Sequence, residues 1–171
     1  MRELQEELSM TRAEPQAVGA EGFLISGFSR AELLELASEP GAGLWLTVDR
    51  SDARLVGYCL TTGSHHFLEL RAEESSGFFT RQRAEWLRPR TYLYQIGVRR
   101  RGAHRGVGRA LVEHVQAASP AGLVTDVVLR PVANEASRRF FSSCGFSEAG
   151  VLQLGSYRGQ EQLSSLVMTW N

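Results

Sequence analysis

The run Thr91-Tyr-Leu-Tyr-Gln-Ile-Gly-Val98, followed at once by Arg99-Arg-Arg-Gly-Ala-His-Arg-Gly-Val-Gly-Arg-Ala-Leu111, decides how this chain is read. Its first eight residues have the β-branched and aromatic density of a strand ending at Val98. Arg99 to Gly106 make a glycine- and arginine-rich loop. Beyond it Val107, Ala110, Leu111, Val115 and Ala118 recur at helical spacing as far as Ser119-Pro120. Strand, glycine-rich turn and helix follow in immediate succession.

That loop has the physical parts of a pyrophosphate cradle. Glycines let backbone approach a ligand, successive amides point outward, and the helix behind them offers unsatisfied N–H groups and a positive dipole end to an anion. Arg99, Arg100, Arg101, Arg105 and Arg109 put five cations into eleven residues with no acid among them. A strand-to-helix turn uses glycine in any case and surface arginines are commonly just solvated, so phosphate binding is the favoured reading of two. The spacing Gly-x-x-x-Gly-x-Gly is neither a P-loop, which needs a lysine, nor a dinucleotide fingerprint near the first strand. Asp126, 18 residues after Gly108, sits within a buried-looking strand.

Working outward, Leu4 and Leu8 hint at a short N-terminal helix, and Phe23 to Phe28 reads as a strand. Ser29-Arg-Ala-Glu32 has capping-box spacing; its helix, with Leu33, Leu34, Leu36 and Ala37 on the apolar side, should stop at Pro40-Gly41. Leu44 to Val48 and Leu55 to Thr61, joined by Asp49-Arg-Ser-Asp52, predict an antiparallel hairpin. Residues 63–90 are polar and charged, an insertion between the third and fourth strands that should hold some helix or a lid. Val124 to Leu129 is a buried strand. Asn134 opens a helix with Ala136, Phe140, Phe141 and Cys144 on its apolar side, closed by Gly145 and Phe146 in a glycine C-cap pattern. Phe146 to Leu152 and Leu163 to Trp170 flank Gly155-Ser-Tyr-Arg-Gly159 as a last hairpin. The expected architecture is α/β of the α+β kind, a mixed and mostly antiparallel sheet of six to seven strands flanked by helices, in a single domain over residues 1–171.

Composition bounds the function. The 171 residues, 43% hydrophobic and 22% charged, suit one globular domain able to bury roughly 70% of its unfolded surface. Nineteen basic against nineteen acidic side chains give no generic pull on polyanions, so no nucleic-acid partner is expected. All nineteen cations are arginine, which excludes catalysis by a lysine of the chain itself. Cys59 and Cys144 lack metal-ligand spacing, so neither a metal nor a disulfide framework is expected. No apolar run approaches the roughly 20 residues of a membrane span, and the N-terminal residues are too acidic for a signal peptide. A cytoplasmic protein with no membrane partner is the expectation.

Two segments together carry a resemblance. Gly97-Val98 through His104-Arg-Gly-Val-Gly-Arg-Ala-Leu111 resembles the Arg/Gln-x-x-Gly-x-Gly/Ala loop of the GNAT superfamily of acyl-CoA-dependent N-acyltransferases. Asn134 to Phe146 resembles that family's Asn-x-x-Ala-x-x-Phe-Tyr-x-x-x-Gly-Phe helix, and Leu55-Val-Gly-Tyr58 looks like part of its second and third strands. The resemblance covers roughly residues 22 to 170. It implies the GNAT fold, acetyl-CoA as co-substrate, and transfer of an acyl group to a primary amine, small or peptidic, by direct attack in a ternary complex in a monomer or homodimer. It further implies a cleft where the strand ending at Val98 splays from the strand at 124–129. The pantetheine arm would pair with Val98 backbone groups, and the diphosphate would sit on amides of Ala103, His104, Arg105, Gly106, Val107, Gly108 and Arg109, with Asn134 and Phe141 beside the arm. The Ile96 N–H would point at the thioester oxygen, where a fixed donor is worth about 3 kcal/mol.

The chain departs from the pattern in three places. Ala103 replaces the usual Arg or Gln, and His104 stands where glycine is common. Phe141 occupies the position of a tyrosine that in many relatives protonates the departing thiolate; general acid help is typically worth 10²- to 10⁴-fold, so its loss need not abolish turnover. The strand base of many relatives corresponds to Tyr92 or Tyr94, which alternation puts on one face with Ile96, though a pKa near 10 makes a tyrosine a poor base and core packing is an equal reading. Glu69, Glu73, Glu85, His65 and His66 of the insertion are the other candidates. Vacancy at the acid position leaves a second reading open: an acyl-CoA-binding or regulatory domain without catalysis.

Overall fold

A computed structural model of the chain describes residues 1–8, 24, 27–65, 67–68, 81–99, 105–157 and 160–171. The elements formed there include α1 (Arg2–Leu8), α2 (Arg30–Ser38), β1 (Gly43–Val48), β2 (Leu55–Gly63), α3 (Arg81–Leu87), β3 (Thr91–Val98), α4 (Val107–Ala117), β4 (Leu123–Arg130), α5 (Glu135–Ser143), β5 (Ser147–Tyr157) and β6 (Gln160–Trp170). The strands make one sheet in the order β1-β2-β3-β4-β6-β5, antiparallel everywhere except between β3 and β4. No helix among the described residues is long and apolar enough to cross a membrane.

Helices cover both faces. On one, Leu111, Val112 and Val115 of α4, Phe141 of α5 and its C-cap Cys144 pack on Cys59, Leu93, Leu123 and Val127. On the other, Leu4 and Leu8 of α1 enclose Tyr58, Leu36 of α2 meets Leu60 and Phe28, and Leu87 of α3 joins Phe67, Tyr92 and Val124. The central strand β2 is therefore buried on both faces and reads as continuous apolar sequence, whereas edge strand β1 alternates half-buried with exposed residues.

Local chemistry explains the helix ends. Ser29 caps α2 through a full capping box with Glu32. Asn134 caps α5 by accepting from the Ser137 N–H at 3.1 Å. At the other end of α5 the Phe146 N–H bonds the Phe141 carbonyl and the Gly145 N–H the Ser142 carbonyl, with Gly145 left-handed and the Phe141 and Phe146 rings in contact at 5.1 Å. This is the Schellman arrangement that Gly145-Phe146 predicted.

The strand expected over 23–28 falls partly outside the described residues; of it Leu24, Gly27 and Phe28 are described, and the Leu24 N–H bonds the Leu8 carbonyl. Three other sequence expectations need correction. Leu34 and Ala37 of α2 are exposed, because the helix rests on the sheet through Leu36 with Leu33 alongside. In α4 it is Val112, not Ala110 or Ala118, that completes the buried stripe. The last hairpin is longer than expected: pairing runs to Tyr157↔Gln160, so Gly155 to Tyr157 belong to β5 rather than to a loop.

Candidate functional site

β3 and β4 are paired only at Thr91↔Leu123 and Tyr92↔Val124. One step further the Leu93 carbonyl is met by the Thr125 hydroxyl at 2.9 Å, a side chain in place of main chain. Past this point β3 stays paired with β2 to Val98, and β4 with β6 to Arg130. The two strands continue without each other, and a gap opens between Tyr94–Val98 and Asp126–Arg130.

The phase of the β2–β3 ladder decides which groups face that gap. The Arg99 N–H bonds the Val56 carbonyl at 2.8 Å, so Val56 and Arg99 form a hydrogen-bonded pair. Antiparallel pairs alternate between bonded and non-bonded. Gly57↔Val98 and Cys59↔Ile96 are then the non-bonded pairs, and the N–H and C=O groups of Ile96 and Val98 turn away from β2 toward the gap.

A bulge corrects the face assignment of the tyrosines. Leu60 pairs with Gln95 but Thr61 pairs with Leu93, so Tyr94 is an extra residue on β3. Tyr92 and Tyr94 share the face covered by α1–α3, stacked at 5.2 Å, while Ile96 and Val98 pack with Leu93 and Cys59 on the α4–α5 face. Tyr92, Tyr94 and Ile96 are therefore not on one face: one extra residue reverses a period of two.

Tyr92 is 1% exposed and lies against Phe67 at 4.8 Å; its hydroxyl donates to Asp126 Oδ1 at 2.5 Å. Tyr94 is half-buried and meets Phe28 edge to face. Gln95, beside the bulge, accepts from both the Tyr58 hydroxyl at 2.5 Å and Gln5 Nε2 at 3.0 Å, which ties α1 to β3. Asp126, noted in the sequence only as an acid within a buried-looking strand, is the residue that sequence reasoning did not assign to the site. Its only signal was an acid in the middle of a Val-rich strand.

At the far end of the gap α4 begins. Gly106 has φ +86°, no side chain among the described residues caps the helix, and its first turn holds no acid. The first intrahelical bond runs from the Ala110 N–H to the Gly106 carbonyl, leaving the N–H groups of Val107, Gly108 and Arg109 without helical partners. A Cβ built on Gly106 would meet nothing within 4 Å, whereas one on Gly108 would touch the Phe140 ring at 3.3 Å and Val98 at 3.5 Å. The backbone is open on the outside and tightly seated beneath. Gly57 completes the seat, since a Cβ there would lie 2.9 Å from Val107 Cγ1.

The predicted side chains divide. Arg105 is exposed; Arg109 reaches back to the Ser143 carbonyl at 2.9 Å and to Glu113 at 3.8 Å, so its amide rather than its guanidinium belongs to the helix start. Arg99 donates to the Leu55 carbonyl at 3.3 Å. Asn134 is buried, its main-chain N–H bonding the Val128 carbonyl beside the gap. Phe141 is 3% exposed and enclosed by Phe140, Phe146 and the α4–α5 core, so its ring offers little surface to a ligand. Glu85 and His65 are exposed, His65 with its Nε2 3.9 Å from Glu39. Glu69, Glu73, His66, Arg100, Arg101, Gly102, Ala103 and His104 lie outside the described residues.

Comparison with known proteins gives a consistent family. A family model described as the acetyltransferase (GNAT) family matches residues 8–146. No curated protein matches the chain. Among solved structures, NAA60 from Arabidopsis thaliana in complex with acetyl-CoA is similar at TM-score 0.57 and 18% identity, over 84% of each chain. A ribosomal-protein-alanine N-acetyltransferase from Brucella melitensis is similar at TM-score 0.55 and 22% identity, over 82% of this chain and 75% of that one. Naa20 from Chaetomium thermophilum in complex with a bisubstrate analogue is similar at TM-score 0.56 and 15% identity, over 84% of this chain and 73% of that one.

Proposed function

The chain belongs to the acetyltransferase (GNAT) family, and on that footing we propose that it transfers an acetyl group from acetyl-CoA to a primary amine, small or peptidic, by direct attack in a ternary complex. The observation that carries this reading is the parting of β3 from β4 beside the N-terminus of α4, whose N-cap is a left-handed glycine. The donors fit a diphosphate-bearing thioester. Three helix amides without helical partners, an open left-handed glycine and an acid-free first turn suit an anion, and two main-chain edges facing a gap suit an extended amide-containing arm.

In this assignment the amides of Val107, Gly108 and Arg109 hold the diphosphate, with Arg105 and Gly106 leading into them. Val98 main-chain groups pair with the pantetheine amides, and Asn134 closes the opposite side near β4. The thioester supplies an activated acyl carbon with a competent leaving group. The Ile96 N–H meets the acyl oxygen, where a preorganised donor lowers the barrier by about 3 kcal/mol as negative charge develops. The bulge gives this arrangement two sides: Ile96 and Val98 side chains pack on the α4–α5 face, and the acceptor approaches from the tyrosine face. Two buried free cysteines, Cys59 and Cys144, are in keeping with a cytoplasmic setting.

The test is release of free thiol from acetyl-CoA by the purified protein across a panel of primary amines: spermidine, tyramine, an aminoglycoside and short peptides with free α-amino groups. Amine-dependent thiol release is the expected result. Phe141 in place of an acid favours one alternative, binding of acyl-CoA without transfer; calorimetric binding with no thiol release on any amine would establish it instead.

A further inference from the structure

β4 is apolar on both sides of one charge. Leu123, Val124, Val127 and Val128 are buried, and between them stands the half-buried carboxylate of Asp126. Aspartate is poorly suited to a strand, and desolvating a carboxylate is costly unless it is hydrogen-bonded. The carboxylate is nevertheless held: the Tyr92 hydroxyl donates to Oδ1 at 2.5 Å, and Tyr92 is itself fixed between Phe67 and Tyr94.

Its position relative to the gap is set by register. Val124 is level with Tyr92 in the parallel pair, so Asp126 is level with Tyr94, the bulged residue, at the point where the strands have just parted. Ile96 lies two residues further along β3, about 7 Å at the rise of a strand. Asp126 thus borders the gap on the tyrosine face, two strand positions before the place where the Ile96 N–H enters it.

We propose that Asp126 is the proton acceptor of the transfer, a catalytic carboxylate that binds the acceptor nitrogen, with Tyr92 as the residue that positions it. This rests on the acetyl-transfer reading above. In the step, the nitrogen lone pair forms the N–C bond to the acyl carbon and the C–S bond breaks, its electron pair leaving on sulfur as thiolate. The proton lost from nitrogen passes to Asp126, and from there through solvent to the thiolate, so that amide and free thiol are the products. Asp126 supplies what Tyr92 and Tyr94 lack, since a phenol with a pKa near 10 is a poor base at neutral pH.

Asp126→Asn keeps the size of the side chain and an oxygen for Tyr92 to donate to, and removes only the charge and the basicity. Loss of a general base predicts a fall in kcat of about 10²-fold or more, with KM and calorimetric affinity for acetyl-CoA unchanged and the thermal midpoint retained. Asp126→Glu should recover part of kcat, and added formate should restore part of the rate to Asp126→Ala, which a merely structural role would not allow. Tyr92→Phe should lower kcat less than Asp126→Asn does. If Asp126→Asn turns over the same amine within about threefold of wild type, or formate restores nothing to Asp126→Ala, the assignment of Asp126 is wrong while acetyl transfer stands. If the wild type itself releases no thiol with any amine of the panel, acetyl transfer fails and the assignment falls with it.

Discussion

Tyr94 shows how much one residue can hide from a sequence. Alternation is legible along Tyr92, Leu93 and Tyr94, and the structure keeps those three where period two puts them. The extra residue on β3 then sends Ile96 to the opposite face, and no residue type announces it, because a bulge depends on the partner strand's register. Asp126 was illegible for the related reason that its role depends on Tyr92, 34 positions away in sequence. Cys59 gives a test at the same scale. Fully buried, its thiol is pushed up to about 12 by desolvation. The unfolded chain therefore gives up that proton near the ordinary thiol value while the folded chain keeps it. The associated stability is intact below about pH 8.5 and declines above it, at up to about 1.4 kcal/mol per pH unit. Burial shifts the Tyr58 phenol upward as well and adds the same sign at higher pH. Urea unfolding at pH 8, 9 and 10 should show stability falling over that range, with the slope between pH 9 and 10 reduced in Cys59→Ala; an unchanged slope would contradict the cause given.

Elements were legible where a local rule fixes them. Ser29 with Glu32, Asn134, and Gly145 with Phe146 each mark a helix end by capping chemistry that needs no tertiary partner, and each stands where expected. Leu34 and Ala110 were assigned to apolar faces by spacing alone, but burial depends on where the sheet lies. The start of α4 unites both levels: its glycines are visible in sequence, but the demand for Gly57 on β2, opposite Val107, is visible only in three dimensions. Gly57→Ala should accordingly destabilise. In an unconstrained strand alanine would be preferred to glycine, yet here its Cβ would overlap Val107 Cγ1 at 2.9 Å and crowd Leu111 at 3.3 Å. The expected loss is about 1–3 kcal/mol, read by urea unfolding, together with weaker acetyl-CoA binding by calorimetry as the start of α4 is displaced. Equal or greater stability in the variant would show that α4 does not depend on this seat.

At the scale of the molecule, neutrality conceals a division of charge. Residues 1–40 hold eight acids and three arginines, whereas residues 97–109 hold five arginines and no acid. The sheet is divided in the same sense. The parting of β3 and β4 has helices α4 and α5 on one side, and on the other the tyrosines and Asp126. The order of elements made the mixed sheet and the strand, loop and helix at its centre readable from sequence. The identity of the groups facing the gap was not readable, because it follows from ladder phase and from a bulge. The central claim is that acetyl-CoA occupies this gap with its diphosphate on α4 and its acyl end at Ile96. Hydrogen–deuterium exchange of the protein with and without saturating acetyl-CoA tests it most directly. The account predicts slowed exchange at the amides of Ile96, Val98 and residues 107–109, with the β5–β6 hairpin unchanged; binding that leaves those amides exchanging as before, or protects a different surface, would contradict it.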